Sequence, residues 1–171
     1  MENNLEAWQL LQKIAGFVNS IGIPCKPGTI DRETFLPGVD INNGSIVYDA
    51  ARLISPGDIL HEAGHIAVLL EKDREKVTSP DVSGDLQPGG AEMAAIAWSW
   101  AALRHLGLSP DVVFHEKGYH GESSQIIMNF SAERYFGVSL LQWFGMTCEK
   151  KNTGQLSVAV YPEMQFWLRP S

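Results

Sequence analysis

Residues 61–65 of the chain read His-Glu-Ala-Gly-His, an HExxH pattern whose residue types suit metal chemistry. Residues four apart lie on one face of a helix, so His61 and His65 can bind a single metal ion. Glu62 lies about 100° around that helix, where it can act as a general base on a metal-bound water. A shuffled chain of this composition contains the pattern with a probability of roughly 1%. We therefore interpret it as a zinc site.

A catalytic zinc site usually has three protein ligands and one open position, so a further ligand is expected downstream. The candidate is Glu92, which begins a predicted helix and shares a face with Ile96 and Ser99. If that helix packs across the first, the carboxylate reaches the two histidines. A carboxylate in a first helical turn is also favourable through the helix dipole alone. Four other residues therefore stay open as the third ligand: His115, His120, Asp85 and Glu122.

A glycine-flanked loop at residues 114–121 offers further polar groups, including Tyr119 and His120. Loops of this kind can direct hydrogen-bond donors at the oxyanion that forms during acyl transfer. We predict that Tyr119 or His120 assists catalysis in this way. The alternative interpretation is an ordinary polar surface loop.

The elements that would position these residues can be predicted from apolar spacing and turn residues. A first helix is predicted over residues 4–20, and two β-rich runs around Asn42-Asn43-Gly44 predict a hairpin over residues 39–48. The exposed edge of that hairpin could hold an extended peptide by strand addition. Ser55 as N-cap and Pro56 at the first helical position predict a metal helix that continues to residue 70. Residues 72–90 are interpreted as a surface loop or a lid.

Downstream, the pattern predicts further helices, a strand and an apolar tail that docks on the body. The helices are expected over residues 91–106, 110–114, 123–135 and 139–145, the strand over 155–161, and the tail at 166–168. Trp98 and Trp100 are expected in the core. The prediction is an α+β fold, in which residues 1–171 form a mainly helical single domain with a small antiparallel sheet.

Composition excludes several classes of protein. The chain is 44% hydrophobic and 19% charged, unlike disordered or coiled-coil proteins. A net charge of −7 without a Lys/Arg cluster argues against nucleic-acid binding. The N-terminal residues do not resemble a secretory signal, and no apolar run approaches the roughly 20 residues that cross a bilayer. Cys25 and Cys148 form no CxxC pair. We expect a cytoplasmic protein with no membrane partner.

The HExxH pattern followed by Glu92 resembles the gluzincins, the class of zinc metallopeptidases with two histidines and a glutamate as ligands. The spacing is also similar to that of the compact ImmA/IrrE-type metallopeptidases, in which a glutamate on the next helix completes the site. The longer pattern resembles a bacterial family of uncharacterised proteins. The matching stretches are Thr34-Phe35-Leu36-Pro37-Gly38, residues 56–65, residues 92–99 and residues 141–147. The resemblance implies a zincin-like metal helix.

Two departures from related patterns matter. The metzincin extension requires Gly and His after the second histidine, where this chain has Val68 and Glu71. Many larger gluzincins carry an acidic residue four positions after the glutamate ligand, which orients a histidine, whereas this chain has Ile96. Ser99 is a weak substitute for that acidic residue. Asp58 or the backbone is the other candidate to orient the histidines.

Three functions follow from these observations. The first is a zinc-dependent metallopeptidase with a peptide or protein substrate, in which His61, His65 and Glu92 bind Zn²⁺ and Glu62 is the general base. The second is a non-catalytic metal-binding regulatory or structural protein of the same fold. The third is an interaction module that binds a partner through tryptophan-rich surfaces. The ligand set also suits other first-row metals, and the oligomeric state stays open.

Overall fold

The computed structural model describes residues 2–150 and 158–171, with side chains from Leu5 onward. Helix α1 spans Glu2–Ser20 and buries Leu11, Ala15 and Val18, as the apolar spacing predicts. Leu5 and Trp8, which the same spacing assigned to the buried face, are each 58% exposed. Strands β2 (Val39–Asn42) and β3 (Ser45–Tyr48) form the predicted antiparallel hairpin. Its turn residues, Asn43 and Gly44, both have positive φ angles, which is the conformation that an Asn-Gly hairpin turn requires.

The sheet contains a third strand that the sequence analysis missed. β1 (Cys25–Pro27) pairs in parallel with β3, which gives the strand order β1-β3-β2. The sheet is therefore mixed, and the prediction of a purely antiparallel sheet is wrong. β1 is too short to show an alternating pattern. Asn19 holds it against the end of α1, because its side-chain nitrogen donates to the Cys25 carbonyl and its oxygen accepts from the Cys25 amide.

The outer edge of β2 is partly occupied. The Ser79 amide donates to the Ile41 carbonyl at 3.0 Å, and the Ile41 amide donates to Ser79 Oγ at 3.3 Å. The Asn43 amide donates to Thr78 Oγ1 at 3.1 Å. The backbone amide and carbonyl of Ile41 are therefore not free to bind a peptide added as a strand along this edge of the hairpin.

Helix α2 spans Asp58–Ala67, and all ten of its residues are buried. It begins later than predicted because Ser55 is engaged elsewhere: its hydroxyl donates to the Val112 carbonyl and accepts from the Gly57 amide. Gly57, not Ser55, occupies the N-cap position. The connection that follows contains the short helix α3 (Glu71–Arg74).

Helix α4 spans Pro88–His105 and starts three residues before the predicted Ala91. Proline at the first helical position explains the earlier start, because its fixed φ suits the helix and its missing N–H is not needed there. Helix α5 spans Ser123–Ser131 and α6 spans Val138–Trp143, both shorter than predicted. Residues 110–112 form a 3₁₀ turn.

The predicted strand over residues 155–161 lies partly outside the described residues, at 155–157. Of the rest, Val160 forms an isolated parallel bridge with Cys148 and no strand. The predicted docking of the tail is confirmed for Trp167, whose carbonyl accepts a hydrogen bond from Trp98 Nε1 at 2.9 Å and whose ring packs edge-on against Phe17.

One apolar core joins the described elements. It draws side chains from α1, the sheet, α2, α4, α5 and α6, and it includes the fully buried Trp98 and the buried Trp100. The structure is thus a mixed α/β fold dominated by helices, with α2 and α4 packed against each other at its centre. Within the described parts of the chain, the helices are all too short or too polar to cross a bilayer.

Candidate metal centre

Helix α2 places the two histidines of the HExxH pattern side by side. His61 and His65 are 2% and 5% exposed, and their Nε2 atoms lie 3.1 Å apart. Two nitrogens bound to one tetrahedral zinc ion at about 2.0–2.1 Å are separated by about 3.3 Å. The two imidazoles therefore already have nearly the spacing of a shared metal ion.

Glu92 completes a three-residue cluster from the neighbouring helix α4. Its Oε1 lies 3.6 Å from His61 Nε2, and its Oε2 lies 3.2 Å from His65 Nε2. One ligand atom from each of the three residues lies within 4.8 Å of the others. Among the described residues, this is the one group of three such side chains with metal-binding geometry. The side chain of Glu92 is 42% exposed, so the cluster opens to one side.

The other candidates for the third ligand lie outside the cluster. Asp85 forms an ion pair with Arg169, with Oδ1 and Nη1 2.9 Å apart. The Nε2 atom of His115 is directed at Asp58, not at the two histidines. His120 and Glu122 line a cavity beside the cluster without belonging to it.

A close approach between α2 and α4 brings Glu92 to the histidines. Ser99 of α4 is fully buried, and its hydroxyl contacts the Leu60 carbonyl at 3.3 Å and the Ala95 carbonyl at 2.7 Å. The sequence suggested that Ser99 orients an imidazole; its hydroxyl instead links the backbones of the two helices. Gly64, between the two histidines, faces the backbone of Ala95, which lies one turn after Glu92.

Glu62 is the unpaired carboxylate of the site. It is 7% exposed, makes no hydrogen bond or ion pair with another described residue, and lines a cavity together with His65 and Glu92. Burial raises the pKa of Glu62 to about 7, although the charge of His65 opposes the rise. Such a group is well matched to accepting a proton near neutral pH.

The electrostatic surroundings favour imidazoles that can bind a cation. Burial, assisted by the neighbouring His65, lowers the pKa of His61 to about 4, so this ring is neutral near pH 7. A neutral imidazole is the form that binds metals. Burial by itself would raise the pKa of Glu92, but the hydrogen bond with His65 and the charges of both histidines outweigh it, so the net shift is downward.

Tyr119 lies on the far side of the His61 ring. Its hydroxyl is 2.9 Å from His61 Nδ1, and the two rings are perpendicular. If Nε2 were to hold a metal, Nδ1 would carry the ring proton and donate a hydrogen bond to the Tyr119 oxygen, which would fix the ring orientation. Burial is the main cause that raises the pKa of Tyr119, so this hydroxyl stays neutral. The geometry favours a positioning role for Tyr119 over the predicted contact with an oxyanion.

His120 remains a candidate for the residue that stabilises the oxyanion. It is exposed, has a left-handed backbone with φ of 52°, and lines the same cavity as His61 and Glu92. Its ring lies 6.5 Å from that of Phe35, measured between centroids.

A pair formed by the buried Asp58 and the half-buried His115 anchors the loop that carries Tyr119, and sequence reasoning missed this pairing. Asp58 Oδ1 lies 2.8 Å from His115 Nε2, and Asp58 is 2% exposed. Burial raises the pKa of Asp58 despite the opposing effect of His115. Ser123 Oγ donates to the His115 carbonyl at 2.7 Å. The sequence suggested Asp58, one turn before His61, as a group that orients a metal-binding histidine, but the fold pairs it with His115 instead.

Two cavities flank the cluster. The His61-side cavity, of about 610 Å³, includes His61 and Tyr119 in its wall. The His65-side cavity, of about 430 Å³, includes His65 and Glu62. Their shared lining consists of Phe35, Leu36 and Glu92. The segment that carries Phe35 and Leu36 therefore runs between the two halves of one cleft at the cluster.

Comparison of the chain with protein-family models, with curated proteins and with solved structures gives no match in any of the three. The geometry of the cluster and its surroundings therefore carries the functional assignment.

Proposed function

We propose that the chain is a zinc-dependent hydrolase that cleaves a peptide bond, with a peptide or protein as its substrate. The observation that carries the proposal is the convergence of His61, His65 and Glu92 beside a buried, unpaired Glu62. Two imidazoles, one carboxylate and an open side match the ligand set of catalytic zinc sites. The resemblance of the sequence to gluzincins supports the same assignment.

Each residue has a role that follows from its chemistry. Zinc at this site would lower the pKa of a bound water to about 7 and polarise the substrate carbonyl. Glu62 accepts the proton from the attacking water and transfers it to the leaving amine, which its raised pKa allows. Tyr119 holds the His61 ring in the orientation that directs Nε2 into the cluster. His120, on the cavity wall, is the candidate to stabilise the oxyanion.

Metal analysis and one substitution at Glu62 test this proposal. Purified protein should bind one zinc ion per chain, and His61→Ala should abolish that binding. Wild-type protein should cleave members of a mixed peptide library, as detected by mass spectrometry. Glu62→Gln should retain zinc and lose cleavage, because the amide cannot accept the proton.

The same experiment separates the two metal-binding functions. A zinc-loaded Glu62→Gln variant that cleaves peptides as fast as wild type would overturn the role of Glu62. Wild-type protein that binds zinc but cleaves no peptide in the library would favour the non-catalytic metal-binding protein. If the protein bound neither zinc nor another first-row metal, both the hydrolase and the non-catalytic metal-binding function would be contradicted.

A further inference from the structure

The His61-side cavity has a largely apolar wall that the proposed metal chemistry does not use. Of the apolar side chains, helix α4 supplies Met93 and Ile96, which follow Glu92 by one and four residues, and α5 and two loops supply the rest. Its volume lies within the range of about 300–1,000 Å³ that is typical of ligand pockets. The apolar lining residues are Met93, Ile96, Ile126, Phe136, Phe35 and Leu36.

Two of these side chains are exposed in a way that core packing does not require. Met93 is 42% exposed although it belongs to α4, whose following turns are buried. Phe35 is 76% exposed and lies opposite His120 at the mouth of the cavity. Apolar surface that lines a cavity next to a candidate reactive centre is surface that a ligand can cover.

The charged side chains around the cavity disfavour an acidic side chain as its occupant. Among the described residues, those lining it include no lysine or arginine, whereas they include Glu92 and Glu122. The polar side chains Gln125 and Asn129 are within hydrogen-bonding distance of each other, with Nε2 and Oδ1 3.5 Å apart. An acidic side chain in the cavity would therefore lie beside two carboxylates, with no lysine or arginine among the described lining residues to pair with.

We infer that the His61-side cavity binds one large apolar side chain of a peptide substrate. Met93 and Ile96 form its floor, and Phe35 forms its outer lip. The inference rests on the proposed hydrolase function. It adds the kind of substrate side chain that is bound and the cavity that this side chain occupies. Glu62 lines the other cavity, so the apolar side chain lies on the opposite side of the cluster from the general base.

Hydroxamates that differ only in their side chain test this inference through binding, without relying on turnover. The zinc-loaded protein is titrated with acetohydroxamate, with 3-phenylpropanohydroxamate and with a hydroxamate of similar length that ends in a carboxylate. The phenyl compound should bind about 10-fold or more tightly than acetohydroxamate, because its ring is removed from water. The carboxylate compound should bind no more tightly than acetohydroxamate.

Two methionine variants localise the effect. Met93→Asp places a charge in the cavity wall and should remove the 10-fold gain, which is measured in each variant as the ratio of its affinities for the phenyl compound and for acetohydroxamate. Met128→Asp is the matched control, because Met128 is similarly exposed at 52% but lies outside both cavities. That variant should keep the full gain.

The outcomes distinguish failure of the subsite from failure of the metal centre. If acetohydroxamate binds but the phenyl compound gains nothing, or if Met128→Asp removes the gain as fully as Met93→Asp, the apolar subsite is wrong and the metal centre stands. If the zinc-loaded protein does not bind acetohydroxamate at all, the open metal site is wrong, and the subsite inference fails with it.

Discussion

Gly64 of α2 faces the backbone of Ala95 of α4 so closely that a Cβ atom at Gly64 would lie 2.9 Å from the Ala95 carbonyl oxygen. Real Cβ atoms essentially never come so near to such a neighbour. Gly64 stands between His61 and His65 in sequence, and Ala95 stands one turn after Glu92. The separation of these two helices at Gly64 therefore sets the distance between the histidines and the carboxylate.

We predict that Gly64→Ala weakens both the fold and the metal site, because α4 must move away from α2. The cost is expected to be about 1–3 kcal/mol of unfolding free energy, typical of overpacking in a core. Zinc affinity should fall with it, as measured by calorimetry. The control is Gly16→Ala in α1, where no atom lies within 4 Å of the added carbon, and it should raise stability by about 0.5–1 kcal/mol. Equal zinc affinity in Gly64→Ala and wild type would contradict this account of the helix contact.

Glu92→Ala should reduce zinc affinity by at least 10- to 100-fold, because metal sites of this kind are sensitive even to loss of supporting groups. The measurement is a competition titration against a chelator of known affinity. Glu122→Ala removes a carboxylate from the same cavity wall without touching the cluster, so its zinc affinity should match that of wild type. A larger effect at Glu122 than at Glu92 would reverse the assignment of the third ligand.

Tyr119→Phe should lower zinc affinity by about 10-fold, because Nδ1 of His61 loses the hydroxyl that orients its ring. Tyr161→Phe provides the comparison. The Tyr161 hydroxyl donates to the Ala97 carbonyl at 2.9 Å in the core, so this variant should lose about 1 kcal/mol of stability and keep its zinc affinity. If both variants bind zinc as wild type does, the contact between Tyr119 and His61 has no role in metal binding.

Stability should fall above pH 9 through the buried thiol of Cys25. Burial raises the pKa of Cys25 from 9.0 to about 12 in the folded protein. The unfolded chain therefore loses this proton first, and the stabilising contribution present below pH 9 declines as pH rises towards 12. Between pH 8 and pH 10 wild type should lose on the order of 1 kcal/mol more than Cys25→Ala, measured by urea denaturation. Parallel pH profiles for the two proteins would show that Cys25 does not titrate in this way.

Local sequence patterns were sufficient to predict those helices and turns whose conformation is set by interactions between residues close in sequence. The spacing of apolar residues predicted α1, the Asn-Gly turn predicted the β2–β3 hairpin, and the HExxH pattern placed His61 and His65 on one helical face. These predictions hold because helix periodicity and turn conformation are decided within a few residues of sequence. The boundaries of α2 were less accurate, because Ser55 bonds to Val112, a residue far away in the sequence.

The sequence by itself thus determined which residues could bind a metal and that two of them share a helix. The tertiary structure decided which third residue joins them, because five candidates were compatible with the pattern and only the crossing of α2 and α4 brings Glu92 within 3.2 Å of His65. It also decided that Tyr119 contacts His61, that His115 pairs with Asp58, and that β1 makes the sheet mixed. Each of these contacts joins residues distant in sequence, so its geometry depends on how whole elements pack, and no local pattern specifies that packing.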